Sequence, residues 1–320
     1  KLSTRSWSKS KPIQLIKYFE FVYKVVKEYK TSDILHCNDL NALPIGYIIK
    51  KFYNKNVKIV YDAHEYEIND IPNESKYSIK IKYFIERFLI KHADTVICVS
   101  DSIANEYVRL YNIVKPSLVL NTPAYKTIEK KDIFRETLNI SKEKTIFLYQ
   151  GGLSRGRGIE ILLEAFKTIE DDKNVIVFMG NGTLEQTIIN DVNKYNNIYF
   201  HKAVTPDILL DFTCSADFGI LFYENSCLNH EYCSPNKMFE YLMAELPVIV
   251  SNLYEMKRLV ETNNIGIVAK ENTPAGLKEA IKVAVKLDNE ELQKNIQKVK
   301  EIYNWEEQEK VLLKVYEELY

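Results

Sequence analysis

The chain predicts an α/β fold built as two successive parallel-sheet domains. Three observations point there. Short apolar strands alternate with amphipathic helices along most of the 320 residues. The alternation runs through twice, with a polar passage over 124–143 between the series. Turn residues and glycines cluster just after strands, where open parallel sheets place their ligands. With 46% hydrophobic and 27% charged residues, the composition is that of a globular protein large enough for two cores.

The first series opens with a helix over 13–30, carrying a Tyr/Phe/Val stripe. A strand over 33–37, a helix over 43–52 and a strand over 57–61 follow. Next come a helix over 77–92, a strand over 95–99, a helix over 102–111 capped by Ser100 or Asp101, and a strand over 117–120. The second series begins with a strand over 145–150, a helix over 159–167, a strand over 175–179, a helix over 184–194 and a strand over 198–201. It continues with a helix over 206–214, a strand over 218–222, a helix over 237–244, strands over 248–250 and 266–268, and a helix over 274–286. Two helices, 289–303 and 305–320, close the chain. The first series has about four strands against the six or so of a doubly wound domain, and it lacks the Gly-rich first turn. The chain also opens on Lys1, in polar residues, so the expectation is that this domain is truncated.

Net charge is −1 but unevenly spread: residues 1–130 carry a net +7 and residues 131–320 a net −8. That gives no general argument for nucleic acid. The basic half suits either solvated helices or contact with an anionic membrane surface. Five scattered cysteines form no CxxC pair and no metal-ligand spacing, which suits a reducing compartment. No signal peptide is visible and no stretch is long and apolar enough to span a bilayer. The expected location is cytoplasmic, or the inner face of the membrane.

The chemistry concentrates in SPNKMFEYLMAELPVIVS, residues 234–251. A turn on Ser234, Pro235 and Asn236 opens a helix with Lys237 in its first turn and Glu240 three residues on, on the same face. A helix N-terminus beside a lysine suits phosphate, and a carboxylate one turn in suits sugar hydroxyls. The loop GGLSRGRG, residues 151–158, also joins a strand to a helix. Gly151 and Gly152 there admit a ligand close to the backbone, and Arg155 and Arg157 offer bidentate contacts to phosphate. The other reading is a flexible turn with surface arginines. Gly180 and Gly182 follow a strand and either admit a base or ribose or simply make a tight turn. In the first series YDAHE places His64 and Glu65 just past a strand end, where the imidazole orients a hydroxyl or acts as a general base. HCND brings His36 and Asp39 to the neighbouring strand end as pocket wall. No hydrolase, zincin, Walker or EF-hand pattern is present, and no metal or cofactor is called for.

DILHCND, VYDAHE, GGLSRGRGIEILLEAF, FMGNG and PNKMFEYLMAELPVIVS, in that order, resemble the family-4 retaining glycosyltransferases of the GT-B fold. The closing YNWEEQEKVLLKVYEEL resembles that family's C-terminal helix. The resemblance covers nearly the whole chain. It implies two Rossmann-like domains facing a cleft: 1–125 on the acceptor side, 126–302 holding the nucleotide sugar, and 303–320 crossing back to the first domain. It implies metal-independent catalysis, with helix dipole and basic side chains stabilising the leaving diphosphate. By the same resemblance Glu240 binds the donor ribose, and Ser234 and Asn236 lie on the turn that meets sugar and diphosphate. His64 stands near the transferred sugar, and Arg157 takes the basic position before a glycine. Three departures stand out: Tyr232, with Glu231 beside it, where the family often has glutamate; Gly152 where it often has arginine, with Arg155 as a substitute; and no N-terminal glycine-rich loop.

The expected activity is transfer of a sugar from a nucleotide donor to a hydroxyl, on a glycan or lipid-linked acceptor, in surface polysaccharide or glycoconjugate synthesis. Two other readings stand beside it: a catalytically silent nucleotide-sugar-binding or scaffold protein, and a nucleotide-sugar epimerase of the same fold.

Overall fold

A computed structural model describes residues 10–320. The polar opening expected to precede the first helix, residues 1–9, lies outside the described residues. The chain divides into two compact units. The first holds the stretch ending at Asp70, then Glu74–Val119 and Leu312–Tyr320; the second holds Ile71–Asn73 and Leu120–Val311.

The first unit runs α1 (Lys11–Tyr29), β1 (Ile34–Asn38), α2 (Asp39–Phe52), β2 (Lys58–Ala63), α3 (Lys76–Leu89), β3 (Thr95–Cys98), α4 (Asp101–Tyr111) and β4 (Ser117–Leu118). The four strands pair in chain order, all parallel. Helix α4 is capped by Ser100, whose hydroxyl accepts from the Ile103 N–H. Val22 and Val26 of α1 pack on Ile45 and Ile49 of α2. On another part of the sheet Val60, Ile97 and Val119 pack with Val315 and Leu319 from the end of the chain. Glu86 of α3 is fully buried and accepts from three phenols: Tyr61 at 2.5 Å, Tyr107 at 2.6 Å and Tyr111 at 2.5 Å. That many donors satisfy a carboxylate that burial alone would penalise.

The second unit runs α5 (Ile133–Leu138), β5 (Thr145–Gly152), α6 (Ile159–Lys167), β6 (Asn174–Asn181), α7 (Glu185–Val192), β7 (Ile198–Lys202), α8 (Pro206–Thr213) and β8 (Phe218–Leu221). It continues with α9 (Leu228–Tyr232), α10 (Asn236–Met243), β9 (Val248–Val250), α11 (Tyr254–Asn263), β10 (Gly266–Val268), α12 (Pro274–Ala284) and α13 (Asn289–Ile302). The last helix, α14 (Trp305–Glu317), starts among residues of this unit and ends among those of the first. The parallel sheet has the order β10-β9-β8-β5-β6-β7, so the winding reverses between β5 and β8. Two apolar clusters cover its two faces. One is built around Leu148, Val177, Phe239 and Leu242, the other around Phe147, Phe178, Phe166 and Leu277.

Several elements differ from the sequence reading. Helix α2 begins at Asp39, four residues before the expected start at Leu43, and carries Pro44 inside it. Asp39 takes φ 62°, a left-handed conformation uncommon outside glycine. The passage 124–143 contains α5, and the short α9 and the ten-residue α11 fall where no helix was expected. Helix α11 buries only Glu255, Met256, Leu259 and Val260, too thin a stripe to stand out in the sequence.

Candidate functional site

Strands β5 and β8 lie side by side where the strand order reverses, and in open parallel sheets ligands bind beyond the strand ends at that point. The chain leaving β5 is held there by glycines. Gly158 takes φ 75°, and a Cβ on it would lie 1.6 Å from the Phe222 carbonyl oxygen, so only glycine lets the loop seat against the chain leaving β8. At the end of β6 a Cβ on Gly180 would lie 1.9 Å from the Gly151 oxygen, and one on Gly182 would lie 2.3 Å from that of Leu153. Both therefore serve close approach of the protein's own backbone. Gly152 differs: a Cβ there would meet open space.

Lys237 projects from the first turn of α10 to this point. Its Nζ lies 4.2 Å from the Tyr149 ring centre and 5.5 Å from that of Tyr223, and donates to the Tyr149 hydroxyl at 3.1 Å. A Cβ on Gly151 would be 3.3 Å from Lys237 Nζ. Arg157 donates to the Tyr223 hydroxyl at 2.6 Å, its guanidinium 5.0 Å from the ring centre. Two cations thus converge on two aromatic faces, which hold them without neutralising them. Burial, followed by the Arg157 charge, pushes the half-buried Lys237 ammonium down to about 7, against the opposing pull of Glu240. An anion arriving here meets a site short of negative charge.

Glu240 lies one turn along α10 and is aimed by a chain of side chains. The Thr213 hydroxyl donates to Gln150 Oε1 at 2.8 Å, and Gln150 Nε2 donates to Glu240 Oε2 at 2.6 Å. Burial raises the Glu240 carboxyl, while the Gln150 bond and the Lys237 charge lower it. Tyr241 on the same helix accepts from the Gln150 N–H at 2.9 Å and donates to the Leu148 oxygen at 3.0 Å, pinning α10 to β5.

Other expected residues fall differently. Pro235 is the residue before α10, and Asn236, its first residue, is exposed. Ser234 is buried, with its hydroxyl 3.5 Å from Glu255. The Arg155 side chain is 88% exposed, and its ion partner is Glu160 at 3.9 Å, so it stands outside the buried group. Glu231, beside Tyr232, accepts from the Tyr254 N–H at 3.1 Å and so tethers the start of α11.

In the first unit His64 follows β2. Its Nδ1 lies 3.2 Å from Asp39 Oδ1 and its Nε2 lies 3.4 Å from Asp62 Oδ2. The Asp62 carboxylate also faces His36 Nε2 at 2.9 Å, and His36 Nδ1 lies 2.6 Å from the Tyr316 hydroxyl. With His36 donating to Asp62, its Nδ1 accepts from Tyr316. Asp39 in turn bonds Glu67; burial, then the Asp39 charge, pushes the Glu67 carboxyl up to about 9, so it holds a proton at neutral pH. Among the described residues no group of three His, Cys, Asp or Glu is placed to hold a metal ion.

Sequence reasoning missed Tyr149, Gln150, Thr213, Tyr223, Asp62 and Glu67. Tyr149 and Gln150 directly precede the glycines at a strand end, a signal available in the sequence. Thr213 and Tyr223 carried none, because only the crossover connections bring them to β5.

A parallel sheet whose winding reverses, with paired cations and one oriented carboxylate at that switch point, has the arrangement that suits a phosphate-bearing ligand. The particular family is plain from comparison. The chain belongs to the glycosyl transferases group 1 family, whose model matches residues 130–301, and residues 3–121 match that of glycosyltransferase family 4. It is 25% identical over 314 residues to an uncharacterized glycosyltransferase of Methanocaldococcus jannaschii, covering 95% of this chain and 81% of that protein. It is 21% identical over 303 residues to the chitobiosyldiphosphodolichol beta-mannosyltransferase of Debaryomyces hansenii, covering 83% of this chain and 62% of that protein. Among solved structures it is similar to sucrose-phosphate synthase from Thermosynechococcus elongatus, with TM-score 0.80, 17% identity, and 98% and 80% of the two chains covered. It is also similar to Anabaena HepE in complex with UDP-glucose, with TM-score 0.73, 16% identity, and 98% and 85% covered. These likenesses identify the fold as GT-B.

Proposed function

We propose that the protein is a retaining glycosyltransferase that moves a sugar from a nucleotide donor to a hydroxyl of a glycan or lipid-linked acceptor, without a metal, in surface polysaccharide or glycoconjugate synthesis. Residues 126–302 take the donor, residues 1–125 take the acceptor, and residues 303–320 return to the first domain. The observation that carries this reading is the convergence of Lys237 and Arg157 beyond β5 and β8, with Glu240 one helical turn away. In the reaction the bond from the anomeric carbon to the diphosphate oxygen breaks, and a bond to the acceptor oxygen forms as that hydroxyl's proton passes to the departing diphosphate. Charge grows on the leaving diphosphate, and Lys237, Arg157 and the start of α10 meet it there. Glu240, aimed by Gln150, accepts from the ribose hydroxyls. The bare backbone at Gly151 and Gly152 adjoins the phosphates, and the turn at Ser234, Pro235 and Asn236 the sugar. His64, with Nδ1 toward Asp39, orients a hydroxyl of the transferred sugar.

The first ligands to try are UDP and UDP-glucose, because Anabaena HepE was solved with them. Calorimetric titration with UDP, GDP and ADP, followed by proton NMR of the product's anomeric signal, tests the reading. Selective binding of one nucleotide and a product with the donor's anomeric configuration are expected. An inverted product removes retention. Binding without turnover on any acceptor favours a silent binding protein, and no binding removes the donor site. Epimerised free nucleotide sugar would move the assignment to an epimerase.

A further inference from the structure

We propose that the outward face of α3 seats this protein on an anionic lipid surface. Five large apolar side chains, Tyr77, Ile81, Phe84, Ile85 and Phe88, are between 43% and 81% exposed. Their spacing of four, three, one and three residues places them in one stripe along the helix. A soluble helix normally turns such a stripe inward. Here the inward face is made instead of Glu86 and Leu89, so the helix is apolar outward as well. Exposed stripes of this kind mark contact surfaces.

Charge decides the kind of partner. Lys76, Lys80 and Arg87 are exposed beside the stripe, and Lys91 follows in the next turn. The only acid of α3 is Glu86, which is fully buried under its three tyrosines. The outward face therefore presents cations and apolar groups with no carboxylate of its own among them. Lys80 lies 6.0 Å from the Phe84 ring centre and Arg87 lies 5.8 Å from that of Tyr83, which keeps their stems against the rings and their heads at the margin. An apolar face bordered by Lys and Arg suits the boundary between acyl chains and anionic headgroups. A second copy of the chain docked through this face would set the same cations against each other across a two-fold axis. The contact is with a surface rather than a span: among the described residues no helix is long and apolar enough to cross a membrane.

The inference rests on this helix and not on the donor-site reading, though it gives a lipid-linked acceptor a place to be met. The test is cosedimentation of the full chain with vesicles of phosphatidylcholine plus phosphatidylglycerol, and with vesicles of phosphatidylcholine alone. Pelleting with the anionic vesicles, weakened by salt, is expected. The double variant Lys76→Glu, Lys80→Glu should lose about fivefold or more for each charge removed. The triple variant Tyr77→Ser, Ile81→Ser, Phe84→Ser should lose at least about tenfold. Unchanged circular-dichroism melts would show both variants folded. A wild-type chain that stays in the supernatant, or variants that pellet like wild type, overturn the proposal. So does a wild-type dimer in sedimentation equilibrium that the triple variant dissolves, which would make the face a contact between copies. Vesicle binding without nucleotide binding would leave this inference standing and remove the donor site.

Discussion

The strand ends of the two units are built from opposite chemistry. Beyond β5 and β8, two cations lie on tyrosine rings with a single carboxylate one turn away. Beyond β1 and β2, two histidines lie among Asp39, Asp62 and Glu67, and among the described residues no lysine or arginine forms an ion pair with that group. The first arrangement is short of negative charge and suits a diphosphate. The second is rich in acceptors and suits hydroxyl groups and protons. The interiors differ too. The six-stranded sheet is covered on both faces by apolar clusters, whereas the four-stranded one organises three tyrosines around a buried glutamate. A polar centre of that kind makes the smaller unit depend on one side chain, whereas a buried carboxylate of the larger unit, Glu255, is paired with Arg258.

The largest effect that would test this contrast is Glu86→Ala. It leaves three buried phenols without their acceptor, at roughly 1–3 kcal/mol for each hydroxyl left unsatisfied. Urea unfolding followed by tyrosine fluorescence should show the first unit failing while the second persists. Glu86→Gln, which keeps an acceptor oxygen, should lose less. A single unshifted transition would show that the tyrosines find other partners.

Lys237→Ala comes next. Turnover should fall by about a hundredfold or more, because the charge it meets is largest as the diphosphate leaves. Nucleotide affinity should fall much less, and equal losses in both would make Lys237 a binding residue only. The same lysine predicts proton uptake. Held near 7 in the empty site, it should regain its proton beside a diphosphate, so titrations at pH 8 in buffers of different ionisation enthalpy should report net uptake.

Glu240→Ala should weaken nucleotide binding by roughly 1–3 kcal/mol, through loss of the ribose acceptor. Unchanged affinity in calorimetry would move the ribose elsewhere.

The last effect concerns Glu67 and is read as a change of stability with pH. Its folded-state value is raised, so the stability it contributes is complete below the unfolded carboxyl value near 4.3 and is lost as pH rises through about 9. Glu67→Gln copies the protonated form, so its advantage over wild type should grow from pH 5 to pH 9 in thermal unfolding. A constant difference across that range would mean that Glu67 and Asp39 do not share a proton.

Much of this was legible in the amino-acid order alone. The alternation of apolar strands and amphipathic helices determined the α/β class, because buried parallel strands and one-sided helices leave different periodicities. Lys237 and Glu240 could be paired in advance, because i and i+3 share a helix face whatever the rest of the chain does. Helix α11 could not be read, because its four buried positions include a glutamate. The roles of the glycines were half visible. A loop of glycines after a strand announces close approach, but only the folded chain shows that Gly158, Gly180 and Gly182 admit the protein's own backbone while Gly152 faces open space. Tertiary structure alone decided the bonds from Thr213 through Gln150 to Glu240, Arg157 on Tyr223, and Glu86 among three tyrosines. Those contacts join residues separated by 21 to 90 positions. Local periodicity carries no information about such distances. They are set by strand order and crossover connections, which bring side chains together only once the sheet has formed.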